Sequence, residues 1–157
     1  MDRLKVGGII RMPRLVQLGV MSAPDRPGIA SAVFQAIGSA QISAQFIVQC
    51  VDLDQRSHVI LCVAEEDAPA AKEILGKVKD EVQAERLTCC DSVAIVSVFG
   101  PDFRERPEIA GPIFSALASH GINIRAISTS ISTVSCVIDG DQLEEAEQAL
   151  AERLELP

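Results

Sequence analysis

The segment Arg26-Pro27-Gly28-Ile29-Ala30 returns eighty positions later as Arg106-Pro107-Glu108-Ile109-Ala110, with an apolar run before each copy and a helical pattern after it. Internal repetition of this kind restricts a chain of 157 residues to two copies of one small unit. Each copy has ~75 residues, too few to bury a deep core alone, so tight pairing of the units is expected.

In the first copy, Leu15, Val16, Leu18 and Val20 predict a strand ended by the turn-forming run Ser22-Ala23-Pro24-Asp25-Arg26-Pro27-Gly28. A helix follows with Ile29, Val33 and Ile37 on one face and Ala30 and Phe34 beside them. Strands are expected over 42–50 and 57–63, joined by the polar stretch 52–56. A second helix is expected over 69–79 with Ala71, Leu75 and Val78 inward and Asp67 as its cap, and a short strand over 82–87. Strand-helix-strand-strand-helix-strand is the ferredoxin-like split βαβ order, an α+β fold with both helices on one face of an antiparallel sheet.

The second copy begins with a strand over 93–99 and a loop over 100–107. Its helix aligns Ile109, Ile113, Phe114 and Leu117 with Ile29, Val33, Phe34 and Ile37. Strands over 122–129 and 134–138 follow, and Asp141 with Glu144 has the spacing of a capping box for a last helix carrying Leu143, Ala146, Leu150 and Leu154. Only Glu155-Leu156-Pro157 then remain, so the second sheet lacks its final strand. The segment Lys5-Val6-Gly7-Gly8-Ile9-Ile10 is suited to fill the place, because Val6, Ile9 and Ile10 are costly to leave in water; an unstructured leader is the other reading. The expected domains are 14–88 and 89–157, with strand 4–11 belonging to the second.

Fourteen basic against twenty-two acidic residues give a net charge of -8, which argues against nucleic-acid and anionic-membrane partners. No apolar run is long enough to span a bilayer, and no secretion signal is expected. Five Cys without a disulfide-like spacing fit a reducing cytoplasm. The apolar face of the strand over 42–50 calls for cover by the sister unit or a second chain, so a homodimer is expected.

Enzyme signatures are missing from the pattern. Gly7-Gly8 has no following Gly-Lys-Ser or Gly-Lys-Thr. His58 and His120 have no local set with metal-ligand spacing, so no metal and no cofactor is expected. Cys50, Cys62 and Cys136 read as buried small thiols, and the adjacent Cys89-Cys90 suits neither zinc nor a Cys-x-x-Cys couple. A binding role is better supported. Gly28 at a helix start allows close approach to free backbone N–H groups, which favour a carboxylate, although a plain proline-rich turn reads the same way. Asn123 can donate and accept toward an ammonium and a carboxylate, or it stabilises the turn after Gly121. Asp25 and Asp102 are ligand contacts or solvated loop charges.

The runs Gly19 to Ala30, Phe46-Ile47-Val48-Gln49 and Gly121-Ile122-Asn123-Ile124-Arg125-Ala126-Ile127-Ser128-Thr129-Ser130 resemble the paired ACT domains of the aspartokinase regulatory region. The resemblance runs from about Lys5 to Leu154 and includes the N-terminal Val-x-Gly strand, which that family places in its second ACT unit. It implies a non-catalytic module that binds a small amino-acid effector, lysine, threonine or another, at interfaces between ACT units. It also implies a catalytic kinase subunit or domain as partner, and no catalytic residue in this chain. The effector-binding candidates are Asp25, Pro27, Gly28, Ile29, Ala30, Gln49, Asn123 and Ile124.

Where the family has Gly-Ile-Asn-Val-Asp after its first helix, this chain has Gln41-Ile42-Ser43-Ala44-Gln45, and Pro-Gly becomes Pro107-Glu108 in the second copy. Losing the Asp removes a partner for a ligand ammonium, and Glu108 is expected to discourage a ligand carboxylate at the second helix start. One retained or altered amino-acid site, involving the first Pro-Gly loop and a pocket bordered by the second unit, is therefore expected. The alternative is a structural or protein-interaction ACT module with degenerate sites.

Overall fold

The computed structural model describes residues 3–157. In chain order its elements are β1 (Leu4–Lys5), β2 (Gly8–Pro24), α1 (Ile29–Ser39), β3 (Phe46–Val51), β4 (Arg56–Ala64), α2 (Ala68–Glu81), β5 (Arg86–Phe99), α3 (Ala110–Ser119), β6 (Ala126–Thr129), β7 (Thr133–Asp139), α4 (Leu143–Arg153) and β8 (Leu154–Glu155). They form two compact units: a first unit of Leu15–Asp91, and a second made of the chain up to Arg14 together with Ser92–Pro157.

In the first unit the strand order is β3-β4-β2-β5, with β4 antiparallel to both β2 and β3. In the second it is β6-β7-β5-β2, with β7 antiparallel to both β5 and β6. Both are the ferredoxin-like order, and in the second the fourth position is taken by the N-terminal half of β2. The preceding residues are ordered with it. Val6 donates its N–H to the Glu155 carbonyl, β1 pairs in parallel with β8, and Val6 is buried in the second core.

The first core is built as helical spacing dictates. Ile29, Val33 and Ile37 of α1 and Ala71, Leu75 and Val78 of α2 lie on the alternating residues Val16, Leu18, Val20, Val59, Leu61 and Val63. The second repeats it with Ile109, Ile113 and Leu117 of α3, Leu143, Ala146 and Leu150 of α4, and Ala94, Val96, Val98, Val134, Cys136 and Ile138 below them. Each large side chain so buried contributes about 1.5–3 kcal/mol.

Several local expectations are corrected. The strands expected over 15–20, 82–87 and 93–99 are parts of the long strands β2 and β5. Arg14 (φ 57°) and Ser92 (φ 56°) are left-handed residues inside them, and each interrupts the period-two pattern that a sequence reading follows. The strands expected from Ile42 and Ile122 begin later, at Phe46 and Ala126. Ile42 and Ile122 instead cap the preceding helices, donating to the carbonyls of Ile37 and Leu117, and their side chains are buried beneath them. Asp67 and the Asp141/Glu144 pair make no side-chain cap: a short 3-10 turn, 65–67 or 140–142, leads into each helix instead. Cys50 is exposed, because β3 is the edge strand of its unit. Among the described residues no helix is long and apolar enough to cross a membrane.

Candidate functional site

The loop Pro24 to Gly28 carries β2 into α1. Gly28 occupies the left-handed region (φ 102°), and nothing lies within 4 Å of where its Cβ would stand. Backbone conformation rather than crowding therefore selects glycine, and the space above it is open. No side chain caps α1 and its first turn carries no acid, so the positive end of the helix faces that space. Asp25, Arg26 and Pro27 are exposed. The Asp25 N–H donates to the Gln55 carbonyl, and the Arg26 guanidinium reaches Gln83 Oε1 (3.3 Å) and the Glu81 carbonyl (3.4 Å). Ile29 is in the core and Ala30 is half-buried.

Behind this loop stands a polar network anchored on β4. His58 Nδ1 accepts the Ser22 N–H (3.1 Å), and its Nε2 lies 2.8 Å from Asp52 Oδ2. With Nδ1 an acceptor, the proton of a neutral ring is on Nε2 and is donated to Asp52. The His58 bond, together with the N–H groups of Arg56 and Asp54, holds the Asp52 carboxyl below its ordinary value. Arg56 donates to Ser22 Oγ (3.0 Å) and to the Ser22 carbonyl. Ser22, at φ 62°, lies in the register shift of β2 between Val20 and Ala23, so the network fixes the bulge from which the loop departs. Gln49, on β3, donates to the buried Ser57 Oγ (2.9 Å), and Ser57 is the partner of Ala23 across β2 and β4. Gln49 thus stands at the same end of the first unit as the loop.

The second unit holds a cavity of about 210 Å³ at the corresponding place. Phe103, Ile109 and Val134 are the apolar residues of its lining, with Thr129, Ser130, Arg104 and Arg106 the polar ones. Pro107, Ile109 and Ala110 repeat Pro27, Ile29 and Ala30. Thr129, opposite Val134, repeats Gln49, opposite Val59. Glu108, expected to close this helix start to anions, is exposed and is not part of the cavity wall. Its own backbone N–H and then Arg106 hold its carboxyl below the usual value. Arg106 Nε donates to Glu108 Oε1 (3.1 Å), and Arg106 Nη1 donates to the Lys5 carbonyl. Arg104 is gripped by both oxygens of Asp102 (2.9 and 2.7 Å), which lowers the Asp102 pKa.

The expected residues divide between the units. Asp25, Pro27, Gly28, Ile29, Ala30 and Gln49 gather at one end of the first. Asn123, exposed, and Ile124, half-buried, follow the C-terminal end of α3 in the second. The cavity is at the N-terminal end of that ten-residue helix, some ~15 Å away. Arg104, Arg106, Thr129 and the His58 network were not legible as site residues, yet projecting the first loop onto its repeat points to Pro107, Ile109 and Ala110. Among the described residues no group of three or more His, Cys, Asp or Glu is placed to hold a metal ion.

Comparison with known proteins agrees with this architecture. The ACT domain family matches residues 16–83, and a second ACT domain family matches residues 96–154. The aspartate kinase of Pseudomonas fluorescens is 33% identical over 156 residues, which are 99% of this chain and 38% of that protein. The chain therefore spans well under half the length of such relatives. The ligand-free regulatory subunit of aspartate kinase from Thermus thermophilus superposes with a TM-score of 0.87 at 32% identity, covering 96% of this chain and 99% of that one. A structure of aspartokinase alpha and beta subunits gives 0.85 at 32% identity, covering 94% and 97%. With both repeats matched as ACT domains and the whole of a regulatory subunit superposed, the chain belongs to the aspartokinase family as a regulatory region of two ACT domains and carries no catalytic domain.

Proposed function

We propose that the chain senses a small amino acid, lysine, threonine or another, at the first-unit site formed by Asp25, Pro27, Gly28, Ala30 and Gln49. The carrying observation is the uncapped start of α1 above the open, left-handed Gly28. Backbone N–H groups there suit the carboxylate that every amino acid carries. The change in occupancy acts on a catalytic aspartokinase subunit or domain, a reading supported by the likeness to a structure of alpha and beta subunits. Two copies pair through the edge strands, where Ile47 (48% exposed), Val51 (47%) and Ile127 (40%) leave apolar surface. Five unpaired cysteines support a cytoplasmic setting.

Calorimetry of the chain against lysine, threonine, methionine, the branched-chain amino acids and glycine tests the reading. One of them binds saturably, and Gly28→Asp, which puts a carboxylate at the helix start, abolishes that heat. Silence toward all of them at millimolar concentration, with a kinase subunit still captured, would instead favour an ACT module whose ligand sites have decayed.

A further inference from the structure

We infer that His58 is a proton-operated latch: the neutral ring holds the bulge of β2 at Ser22, and with it the loop into α1, and protonation of the ring releases them. The latch stands on the geometry of β2 and β4 alone, whereas its effect on binding rests on the amino-acid site proposed above.

The latch begins in the strand register. Val20 pairs with Val59 and Ala23 with Ser57, so two residues of β2, Met21 and Ser22, stand against the single residue His58 of β4. The extra residue of such a bulge has no place in the ladder. Here the Ser22 N–H goes to the His58 ring at 3.1 Å, and Nδ1 accepts it only while it keeps a lone pair. On the far side of the ring, Nε2 lies 2.8 Å from Asp52 Oδ2. The other oxygen of Asp52 accepts the N–H groups of Asp54 (2.9 Å) and Arg56 (3.0 Å), which holds the β3–β4 turn. The Asp25 N–H donates to the Gln55 carbonyl at 3.2 Å and ties the loop to that same turn. Turn, ring, bulge and loop are therefore one run of hydrogen bonds in which the imidazole is the titrating link.

Imidazole changes charge between about pH 5 and 8. The His58 side chain is 18% exposed, so water reaches it with a proton. Asp52, held below its ordinary value by His58 and then by the Arg56 N–H, keeps its charge over that range. An imidazolium has two N–H donors and no acceptor, so it keeps Asp52 and loses Ser22. The other polar groups around the ring do not replace that acceptor. Arg56 is itself a donor, to Ser22 Oγ and to the Ser22 carbonyl, and its guanidinium lies 3.6 Å from Glu85. Glu85 donates its N–H to the Ser22 carbonyl, and Cys50 stands opposite His58 on β3. Because Arg56 and Glu85 hold Ser22 in both states, the bulge loosens without unfolding. A looser start to the loop leaves the approach to Gly28 less preorganised, which lowers affinity.

The test follows backbone and imidazole NMR signals of the ligand-free chain from pH 5 to 8. His120, the other histidine, is removed as His120→Gln so that one ring titrates. The Ser22 amide is expected to shift with the midpoint of His58, and its exchange protection to fall at least about tenfold on the acid side. His58→Asn, which offers an acceptor near the place of Nδ1 and does not titrate, is expected to leave the Ser22 signal flat with pH. A Ser22 amide that ignores the His58 titration overturns the latch, as does a shift that persists in His58→Asn or a ring that does not titrate in this range. Calorimetry with lysine and with threonine at pH 7.5 and 5.5 reads the coupling. Binding is expected to weaken about two- to tenfold at the lower pH in the native chain, the worth of one hydrogen bond, and to be alike at both in His58→Asn. Equal affinity at the two pH values in the native chain overturns the coupling. Silence toward both amino acids while Ser22 still follows His58 counts against the binding site and for the latch, so either is able to fail alone.

Discussion

Gly7 and Phe99 are fitted to each other: the Gly7 N–H donates to the Phe99 carbonyl at 2.7 Å, and the Phe99 ring lies 2.9 Å from where a Gly7 Cβ would begin. A Cβ on Gly8 would meet the same ring at 2.8 Å. The glycine pair that resembles a fragment of a phosphate loop is therefore a bed for an aromatic side chain.

Gly7→Ala should accordingly push the ring aside. The ring, on a side chain that is 37% exposed, has room to give, whereas the Phe99 carbonyl oxygen, 3.1 Å from the same Cβ, does not, so a cost of about 1–3 kcal/mol is expected. Urea denaturation should show that loss in the native background and a smaller one in a Phe99→Ala background, where the carbonyl contact remains but there is no ring to displace. An equal loss in both would place the cost in the backbone instead.

How far a sequence reading reaches is visible at these positions. The repeated apolar spacing of Ile29, Val33 and Ile37, and of Ile109, Ile113 and Leu117, suffices to place two helices over two sheets, because burial of one helical face leaves a period that survives in the sequence. The shortage of a last strand likewise leads to Lys5–Ile10, since backbone pairing is an obligation that can be counted. The Asp52–His58–Ser22 network is different. It depends on a β-bulge at Ser22 and on the side-chain reach across β2 and β4, neither of which has a periodic signature. Glu108 shows the same limit: its charge was readable, but its pairing with Arg106 depends on rotamers.

Stability should depend on pH through His120. Its Nδ1 lies 2.6 Å from Glu145 and its Nε2 lies 3.2 Å from Glu152, so α3 is clipped to two positions of α4. The hydrogen bond with Glu145, then that with Glu152, raises the His120 pKa above its ordinary 6.5. A raised folded-state value means that folding favours the proton. The stabilisation is fully present below about pH 6.5 and is lost as pH climbs through the higher folded-state value. Chemical denaturation of the wild type and His120→Gln should therefore differ most on the acid side and converge in alkali. A gap that widened with rising pH would show that the ring acts in its neutral form.

Two leucines of the first unit should respond in opposite ways. Leu75, on the inner face of α2, has no exposure and sits in the first core, whereas Leu53, at the tip of the β3–β4 hairpin, is fully exposed. Leu75→Ala should cost about 2–5 kcal/mol, the loss of transfer energy plus a residual cavity. Leu53→Ala should stay within about 0.5 kcal/mol. Denaturation midpoints at constant slope measure both, and a large loss at Leu53 would mean that the hairpin tip is covered by a second copy in solution.

The five cysteines should separate into two classes toward a thiol reagent. Desolvation pushes the Cys62 thiol up to about 12, with Cys90 adding to it, and pushes Cys136 up to about 11. Both are buried, so neither presents a thiolate to solvent in the native protein. Cys50 and Cys89 are exposed and Cys90 is half-exposed. Cys89 is itself raised, chiefly by desolvation and against the pull of Lys72, so it should react without the acceleration of an activated thiol. Maleimide labelling at neutral pH, read by mass spectrometry, is expected to modify Cys50, Cys89 and Cys90 in the folded chain and all five in denaturant. Labelling of Cys62 and Cys136 requires opening of a core, so their rates should follow the stability of the unit that contains each one. Leu75→Ala should then speed Cys62 in the first unit more than Cys136 in the second, and equal acceleration of the two would show that the units unfold together.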